Sequence, residues 1–323
     1  MKLFGVNATR ALAERVAKCS STPLAEHEER EFEDGEFKIR PLESVRDERV
    51  FVVQSLAGEE GASVNDKLAR LLFFIGALKD AGAGQVTVVL PYLAYWRKDQ
   101  RTKSRDPVTT RYVARLFEAI GVDAVVAIDP HNLISFDNAF NCRKELLTAI
   151  PLFVAHFDGA LDTRTRLVAV SPDAGGVKRA RAFADEFAQR TGRAVDVAFV
   201  EKHRSEGRVT GDLFAGDVDG ATAIVIDDLI SGGTTIARAA AACRAHGARA
   251  VHAAATHGVL TERSAAVLGG AALASLVVTD TVPDVHRRCA NLPINVDVLD
   301  TAPLIAGAVE RLAGSASVGV PSE

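Results

Sequence analysis

The sequence predicts an α/β protein made of two related halves, each a mainly parallel β-sheet flanked by α-helices. The chain of 323 residues exceeds the usual size of one hydrophobic core, which indicates two domains. Short runs rich in Val, Ile, Leu and Phe recur without polar alternation, as is typical of strands buried on both faces. Segments with helical periodicity, such as 65–81 and 234–246, separate most of these runs. This β-α-β order favours parallel sheets.

The predicted strands follow one another along the whole chain. They are VFVVQS from Val50, VTVVLPY from Val86, AVVAID from Ala124, LVAVSP from Leu167, VAFVE from Val197, AIVIDD from Ala223, AVHAAATH from Ala250 and LVVTD from Leu276. Proline suits the first turn of a helix, so Pro107 is expected to start the helix that continues through VTTRYVARLFEAIG. Gly247 is expected to cap the helix over 234–246.

The domain boundary is expected near residue 150, because the strand and helix rhythm occurs once before it and again after it. We predict an N-terminal domain over 1–150 and a C-terminal domain over 151–312, divided within TAIPLF. The remaining segment, 313–323, consists mainly of small and polar residues. It is expected to be a flexible tail without function.

Composition limits the classes of function. The chain is 48% hydrophobic and 25% charged, and its formal net charge of −4 argues against general binding of nucleic acid. No apolar run approaches the roughly 20 residues that span a bilayer, and no signal-peptide pattern is visible, so a cytoplasmic protein is expected. The four cysteines lie far apart without C-x-x-C spacing, which favours free thiols over disulfides or a zinc site.

One segment, IVIDDLISGGTTIARA over 224–239, combines carboxylates with a glycine-rich turn. Asp227 and Asp228 end an apolar strand, where open α/β sheets bind their ligands. Carboxylates accept hydrogen bonds from sugar hydroxyls or hold magnesium. The small residues that follow leave backbone N–H groups free to surround a phosphate at a helix N-terminus. These residues alone leave two interpretations open: a ribose-phosphate site, or a tight turn with a structural role.

The motif VIDDLISGGTT resembles the phosphoribosyl-diphosphate binding motif of type I phosphoribosyltransferases and of ribose-phosphate pyrophosphokinases. Four further stretches are similar to the pyrophosphokinases only: FEDGE from Phe32, PYLAYWRKDQRTKSRDP from Pro91, IDPH from Ile128 and VSPDAGG from Val170. This similarity runs from about Phe4 to Pro303. It implies phosphoribosyltransferase-like halves and a magnesium-dependent transfer of the β,γ-diphosphoryl group from ATP to the anomeric hydroxyl of ribose 5-phosphate, giving phosphoribosyl diphosphate and AMP.

The resemblance also implies roles for individual residues. The ribose 5-phosphate site would comprise Asp227, Asp228, Ser231, Gly232, Gly233, Thr234 and Thr235. The ATP site would comprise Phe32, Asp34, Glu36, Arg97 and Lys98, with further positive charge from Arg101, Lys103 and Arg105. Magnesium contacts would fall on His131 and Asp173, and the catalytic cations would be Lys202 and Arg204.

Each of these roles has a simpler structural alternative. FEDGE also fits an acidic hairpin, because Asp-Gly is a strong turn signal. His131 also fits a loop histidine that is hydrogen-bonded to a carbonyl, and VEKHRSEGR, from Val200, also fits a solvated basic loop. The glycine and acidic residues of that loop would suit a mobile lid. In the family, adenine is met by the FEDGE segment of a neighbouring subunit, which implies a homo-oligomer with a shared ATP site.

The phosphate loop departs from the family pattern at two positions. Thr234 stands where glycine is usual, and a β-branched residue with positive φ would be strained. Either Gly232 and Gly233 take the unusual angles, or phosphate binding is weakened. Ser231 replaces a carboxylate found in many members. These departures keep a non-catalytic, regulatory subunit open as an alternative, and a phosphoribosyltransferase is a second alternative that would not explain FEDGE or IDPH.

Overall fold

A computed structural model describes residues 1–162, 164–205 and 208–314, with the backbone alone for the described part of 201–212. The chain divides into two compact units. The first unit comprises residues 1–147, 281–283 and the described part of the segment that begins at Asp300. The second unit comprises residues 148–280 and 284–299. The four cysteines are free, as expected.

The first unit contains a five-stranded sheet in which all neighbouring strands are parallel. Its strands and the separate hairpin are β1 (Lys2–Gly5), β2 (His27–Glu31), β3 (Phe37–Pro41), β4 (Arg49–Val53), β5 (Gln85–Leu90), β6 (Ala124–Ile128) and β7 (Arg143–Leu147), and the helices are α1 (Arg10–Cys19), α2 (Val64–Asp80), α3 (Thr109–Ala119) and α4 (Leu133–Ala139). The sheet order is β1-β4-β5-β6-β7, and β2 pairs antiparallel with β3.

The second unit contains a seven-stranded sheet that is parallel except at one edge. Its helices are α5 (Ile150–Ala160), α6 (Val177–Thr191), α7 (Thr234–Ala245), α8 (Arg263–Gly269) and α9 (Val285–Ala290), and its strands are β8 (Leu167–Ser171), β9 (Val195–Ser205), β10 (Arg208–Ala215), β11 (Thr222–Ile230), β12 (Ala250–Gly258), β13 (Ser275–Thr279) and β14 (Val296–Leu299). The order is β10-β9-β8-β11-β12-β13-β14, and only the β9–β10 pair is antiparallel within the described strands.

Burial on both faces explains why the strand sequences are continuous apolar runs. Every residue of β6 and β8 is buried, and separate apolar clusters lie on the two faces of each sheet. Helices cover these faces, as expected for parallel sheets. The predicted α/β class with mainly parallel sheets is confirmed.

The last helix, α10 (Ala302–Leu312), belongs to the first unit and not to the second. Its buried residues Ile305 and Val309 lie in one apolar cluster with Leu12 and Val16 of α1. The observed division therefore differs from the predicted C-terminal domain, which extended over 151–312. Covering this apolar surface brings the helix back to the first sheet. Within the predicted tail over 313–323, residues 315–323 lie outside the described residues.

Two helix boundaries can be compared with their predictions. The helix α3 begins at Thr109, so Pro107 precedes it by two residues and does not start it. Gly247 has a φ of +88° just past α7, which agrees with its predicted capping role. Among the helices of the described residues, none combines the length and apolar character needed to cross a bilayer.

Candidate active site

The turn between β11 and α7 lies at the carboxyl end of the second sheet. Asp227 and Asp228 occupy the last part of β11, and α7 begins at Thr234. The intervening backbone is fixed from the neighbouring segment: the Ser231 carbonyl accepts hydrogen bonds from Ser264 Oγ at 2.6 Å and from the Thr261 N–H at 3.2 Å. The predicted carboxylates and the glycine-rich turn are therefore brought together at one edge of the sheet.

The two carboxyl groups share one guanidinium. Arg179 Nη1 lies 3.8 Å from Asp227 Oδ1 and 3.4 Å from Asp228 Oδ1. The side chain of Asp228 is only 5% exposed and that of Asp227 is 17% exposed. Burial, followed by the neighbouring Asp228 charge, raises the pKa of Asp227 to about 8, despite the opposing effect of Arg179. At neutral pH Asp227 therefore tends to keep its proton.

Gly233 adopts the positive φ angle that would be strained at Thr234. It has a φ of +81°, whereas Thr234 is the first residue of α7 and does not have a positive φ. The expectation that Gly232 also takes an unusual angle is wrong, because only Gly233 of the two has a positive φ. The turn therefore reaches the helix with its single strained angle on a glycine, and Thr234 is not strained.

A second loop of the site follows β8, the strand that pairs with β11. Asp173 is exposed there, and its Oδ1 accepts a hydrogen bond of 3.0 Å from the Gly176 N–H. Ser171 Oγ donates to the Asp173 carbonyl at 2.6 Å. Arg238 of α7 donates to the Pro172 carbonyl at 3.4 Å, which connects this loop to the helix of the glycine-rich turn. Asp173 is thereby held at the same end of the sheet as Asp227.

FEDGE forms the turn of the β2–β3 hairpin in the first unit. The Phe32 N–H donates to the Glu36 carbonyl at 2.8 Å, and Gly35 has a φ of +87°. Asp34 Oδ1 accepts from the Glu36 N–H at 3.1 Å. Phe32 is 41% exposed, and the Arg30 guanidinium lies 5.3 Å from its ring centroid. FEDGE therefore does form an acidic hairpin turn, and this turn leaves the aromatic ring of Phe32 exposed.

The basic segment, residues 97–105, follows β5 and is held by the carboxylate of Asp106. Asp106 Oδ2 accepts from Lys98 Nζ at 2.5 Å, from Thr102 Oγ1 at 2.8 Å and from the Lys103 N–H at 2.9 Å. These hydrogen bonds, of which the one from Lys98 has the largest effect, hold the pKa of Asp106 far below its usual range. Lys98 is therefore committed to an ion pair inside the loop. Arg97 is exposed.

His131 lies in the loop that precedes α4, and hydrogen bonds join this loop to the basic segment. Asn132 caps the helix by accepting from the Ser135 N–H at 3.1 Å. Asp99 Oδ2 accepts from Asn132 Nδ2 at 2.7 Å and from Ser135 Oγ at 3.1 Å. Asp99 thus fixes the basic segment to the loop that presents His131, whose side chain is exposed.

The predicted catalytic cations lie on β9. In the antiparallel β9–β10 pair, Lys202 is the backbone partner of Asp212 and Arg204 is the partner of Val209. Their side chains lie outside the described part of the structure, as do Glu206 and Gly207 of the predicted lid. Their assignment therefore remains a prediction.

The oxygen donors suit magnesium better than a transition metal. Within the described residues, no group of three His, Cys, Asp or Glu side chains is arranged to hold a metal. Magnesium usually keeps several waters and binds through one or two carboxylates together with substrate phosphates. The exposed carboxylate of Asp173 fits that mode. Such a site needs no preformed cage.

Arg179 was not predicted from the sequence, although it contacts both acids of the central pair. It lies in the first turn of α6, within KRARAFADEFAQR, where repeated charges suggest a solvated helix face. The usable signal is its position shortly after the loop that contains Asp173. Helix N-termini after parallel strands face the ligand edge of the sheet.

Together these features define an α/β protein whose candidate site lies at the carboxyl edge of a parallel sheet. A family model for the N-terminal domain of ribose phosphate pyrophosphokinase matches residues 1–121, and one for the phosphoribosyl synthetase-associated domain matches 212–320. A ribose-phosphate pyrophosphokinase of Hyphomonas neptunium is 36% identical over 320 residues, covering 98% of each chain. A putative ribose-phosphate pyrophosphokinase 2 of Streptococcus agalactiae is 35% identical, covering 97% of this chain and 92% of that protein.

A solved structure shows the same similarity. The crystal structure of phosphoribosylpyrophosphate synthetase from Mycobacterium smegmatis matches with a TM-score of 0.86 and 32% identity, over 98% of this chain and 99% of that one. The chain therefore belongs to the ribose-phosphate pyrophosphokinase family. Membership makes it an enzyme of the transferase and kinase class that acts in nucleotide biosynthesis.

Proposed function

We propose that the protein transfers the β,γ-diphosphoryl group of Mg-ATP to the anomeric hydroxyl of ribose 5-phosphate, giving phosphoribosyl diphosphate and AMP. The observation that carries this proposal is the pairing of Asp227 and Asp228 with the turn over 231–235 at one edge of the second sheet. A sugar phosphate offers hydroxyls at one end and a dianion at the other. This edge offers complementary groups to both ends.

The turn binds the 5-phosphate. The backbone N–H groups at the start of α7 have no partners within the helix, as at any helix N-terminus, and the helix dipole adds a partial positive charge. Gly232 has open space where a side chain would be, which allows an anion to approach the backbone. Ser231, Thr234 and Thr235 add hydroxyl donors.

The acids hold the sugar hydroxyls. Because the pKa of Asp227 is raised by burial and by the charge of Asp228, the pair tends to retain a proton on Asp227 near neutral pH. It can donate one hydrogen bond and accept several, which suits vicinal hydroxyls that need both. Arg179 balances the remaining negative charge.

The nucleotide is held by residues of the first unit. Phe32 offers an exposed ring for stacking on adenine, and Asp34 and Glu36 offer acceptors for its amino group. Arg97 adds a cation for the phosphates. Lys98 acts indirectly, because its ammonium already holds Asp106 and thereby shapes the basic segment. Since the Phe32 ring projects from a hairpin turn, it is suited to complete a nucleotide site on a second copy, so we propose a homo-oligomer.

Transfer requires stabilisation of charge that builds on the phosphoryl oxygens. Lys202 and Arg204 would supply cations to the transferring group, and catalysis would depend on positioning and electrostatics. Asp173, with His131 as a further candidate, would hold the magnesium that accompanies ATP. When bound, magnesium neutralises phosphate charge and orients the β- and γ-phosphates.

A direct assay tests the proposal. Purified protein is incubated with ribose 5-phosphate and Mg-ATP, and AMP and phosphoribosyl diphosphate are quantified. Equal amounts of the two products are expected, and formation of both should stop when ribose 5-phosphate is omitted. Failure to form AMP, with or without added inorganic phosphate, would reject the proposal in favour of a non-catalytic subunit. Consumption of phosphoribosyl diphosphate with a free base would instead indicate a phosphoribosyltransferase.

A further inference from the structure

The β2–β3 hairpin, whose turn is the FEDGE segment, is a separate two-stranded sheet within the first unit. A hairpin of this size is marginally stable by itself, so its position depends on contacts with other elements. Ile39 of β3 is buried in an apolar cluster of the unit and anchors the strands. Residues 31–36, at the turn, are all exposed. Packing in the core therefore does not fix the turn that carries Phe32.

Arg70 of α2 contacts the residues on both sides of this turn. Its Nη2 donates to Glu31 Oε2 at 2.7 Å, and its Cζ lies 4.6 Å from the ring centroid of Phe37. Glu31 and Phe37 are register partners and form the last pair of the ladder before the turn. Glu31 directly precedes Phe32, and Phe37 directly follows Glu36. Arg70 thus holds both ends of the turn.

A third contact joins the same guanidinium to the buried part of the hairpin. Arg70 Nη1 lies 3.7 Å from Oε2 of Glu29, a side chain that is only 7% exposed. The other oxygen of Glu29 accepts from the Asn7 N–H at 2.7 Å and lies 3.0 Å from His27 Nε2. Arginine suits this arrangement, because its planar guanidinium can pair with carboxylates and stack on an aromatic ring at the same time. A lysine ammonium is a point charge and would not replace all three contacts.

Arg70 lies on one face of the hairpin and the Phe32 ring on the other. Glu31 and Phe37 face α2, since both contact Arg70. Side chains alternate along a strand, so Arg30 points to the opposite face, where its guanidinium lies 5.3 Å from the Phe32 ring centroid. Arg70 therefore holds the turn without covering the Phe32 ring, which is 41% exposed and open to a ligand.

We propose that Arg70 is a positioning residue for the nucleotide, because it fixes both ends of the FEDGE turn and so sets the orientation of the Phe32 ring that stacks on adenine. This inference rests on the proposed function of the turn. Without Arg70 the turn samples more orientations, and part of the binding free energy is spent on ordering it. The loss falls on ATP affinity, since adenine is the end of ATP remote from the phosphoryl groups that react.

Isothermal titration of the 323-residue protein with Mg-ATP, in the absence of ribose 5-phosphate, tests the inference. Arg70→Met keeps an apolar stem and removes the guanidinium. The dissociation constant for ATP should rise about fivefold, as for the loss of one aromatic contact. Arg40→Met is the matched control, because Arg40 pairs with Glu28 of the same hairpin near the end remote from the turn. This control should leave the dissociation constant unchanged.

A double-mutant cycle separates positioning from a general loss of structure. In a Phe32→Ala protein, Arg70→Met should have no further effect on the dissociation constant, because the ring that Arg70 orients is gone. A merely structural role would weaken binding in both backgrounds. Arg70→Lys should bind ATP more tightly than Arg70→Met and more weakly than the wild type, since it keeps one ion pair. In steady-state assays, Arg70→Met should raise the KM for ATP and change kcat by less than about twofold.

A substitution on the surface provides a check that does not depend on how Arg70→Met folds. Glu31 is 64% exposed, so Glu31→Gln leaves the core intact, and it should weaken ATP binding about threefold through the lost ion pair with Arg70. The inference would be overturned if neither Arg70→Met nor Glu31→Gln weakened ATP binding more than Arg40→Met does. An undiminished effect of Arg70→Met in the Phe32→Ala protein would overturn it as well. The proposed function fails differently, because the wild type would then form no AMP whatever its affinity for ATP.

Discussion

A methyl group added at Gly233 would place its carbon 2.8 Å from Cγ of the buried Leu268. The same residue has a φ of +81°, which disfavours any side chain. Gly233→Ala is therefore expected to lower the free energy of unfolding by about 2 to 3 kcal/mol, from backbone strain and overpacking. Urea denaturation of the wild type and the variant would measure this loss of stability.

The adjacent glycine is the matched control for that substitution. Gly232 does not have a positive φ, and no atom lies within 4 Å of the position that an added methyl carbon would occupy. Gly232→Ala should change stability by less than about 0.5 kcal/mol. If both substitutions destabilised the protein equally, the proposed path of the turn through Gly233 would be wrong.

The acid pair is expected to determine affinity for the sugar phosphate. Replacing both Asp227 and Asp228 by Asn removes the negative charge of the pair and with it the charge-assisted hydrogen bonds to the hydroxyls, each worth about 1.5 to 3 kcal/mol. The KM for ribose 5-phosphate should rise at least about tenfold, with a change of less than about twofold in the KM for ATP. Steady-state kinetics would measure both constants.

Asp185→Asn provides the control, because Asp185 is an exposed acid of α6 outside the site. It should leave both constants unchanged. An unaltered KM for ribose 5-phosphate in the double variant would contradict the proposed role of the pair.

The raised pKa of Asp227 predicts a dependence of stability on pH. The ordinary carboxyl value of 3.8 applies to the unfolded chain, and the folded value is about 8. Between these values the folded state binds more protons, so the contribution of Asp227 to stability is complete below 3.8 and is lost as the pH rises towards 8. Asp227→Asn lacks this titration. The difference in unfolding free energy, wild type minus variant, should fall steadily from pH 5 to pH 8, roughly the interval set by the two pKa values.

Asp228→Asn tests the cause of that shift. It removes the neighbouring charge and so reduces the pKa shift of Asp227. The unfolding free energy of this variant should therefore fall less between roughly pH 5 and pH 8 than that of the wild type. A difference that rises with pH would mean that Arg179 outweighs burial and that the pKa of Asp227 is lowered.

The basic strand is expected to act in the transition state. Lys202→Ala should lower kcat at least about tenfold while changing the KM for ATP little, as for a group whose contact forms only during transfer. The Arg190→Ala variant, which changes an exposed cation of α6, is the control and should retain full turnover. A loss confined to ATP affinity would assign Lys202 to nucleotide binding.

The inner strands of both sheets were predictable because burial on two faces leaves a continuous apolar run in the sequence. All residues of β6 and β8 are buried, and all of them except Ser171 are apolar. The parallel edge strands β1, β7 and β14 were not predicted. The strand β7 shows why, since it reads RKELL with only its last residue buried, and an edge strand needs no apolar run. The placement of α10 in the first unit depends on contacts between distant segments, which no local pattern encodes.

The site was predictable where chemistry and position coincide in a short motif. Asp227, Asp228 and the turn over 231–235 fall together because one strand and one helix carry them. Arg179 was missed because its role arises from the pairing of β8 with β11, which brings a helix 48 residues away up to the acids. The ion pair between Lys98 and Asp106 was missed for a similar reason, since a charge run does not reveal which charges neutralise each other.

The chain has a single tryptophan, Trp96, which lies immediately before the basic segment. Its indole is 2% exposed and packs between Phe136 and Phe140, with centroids 5.0 and 5.8 Å away. Arg97 follows it directly in the chain. The protein therefore carries an intrinsic fluorophore next to the residues proposed to meet the nucleotide phosphates, and emission from that one indole would follow rearrangement of the segment in real time without a label.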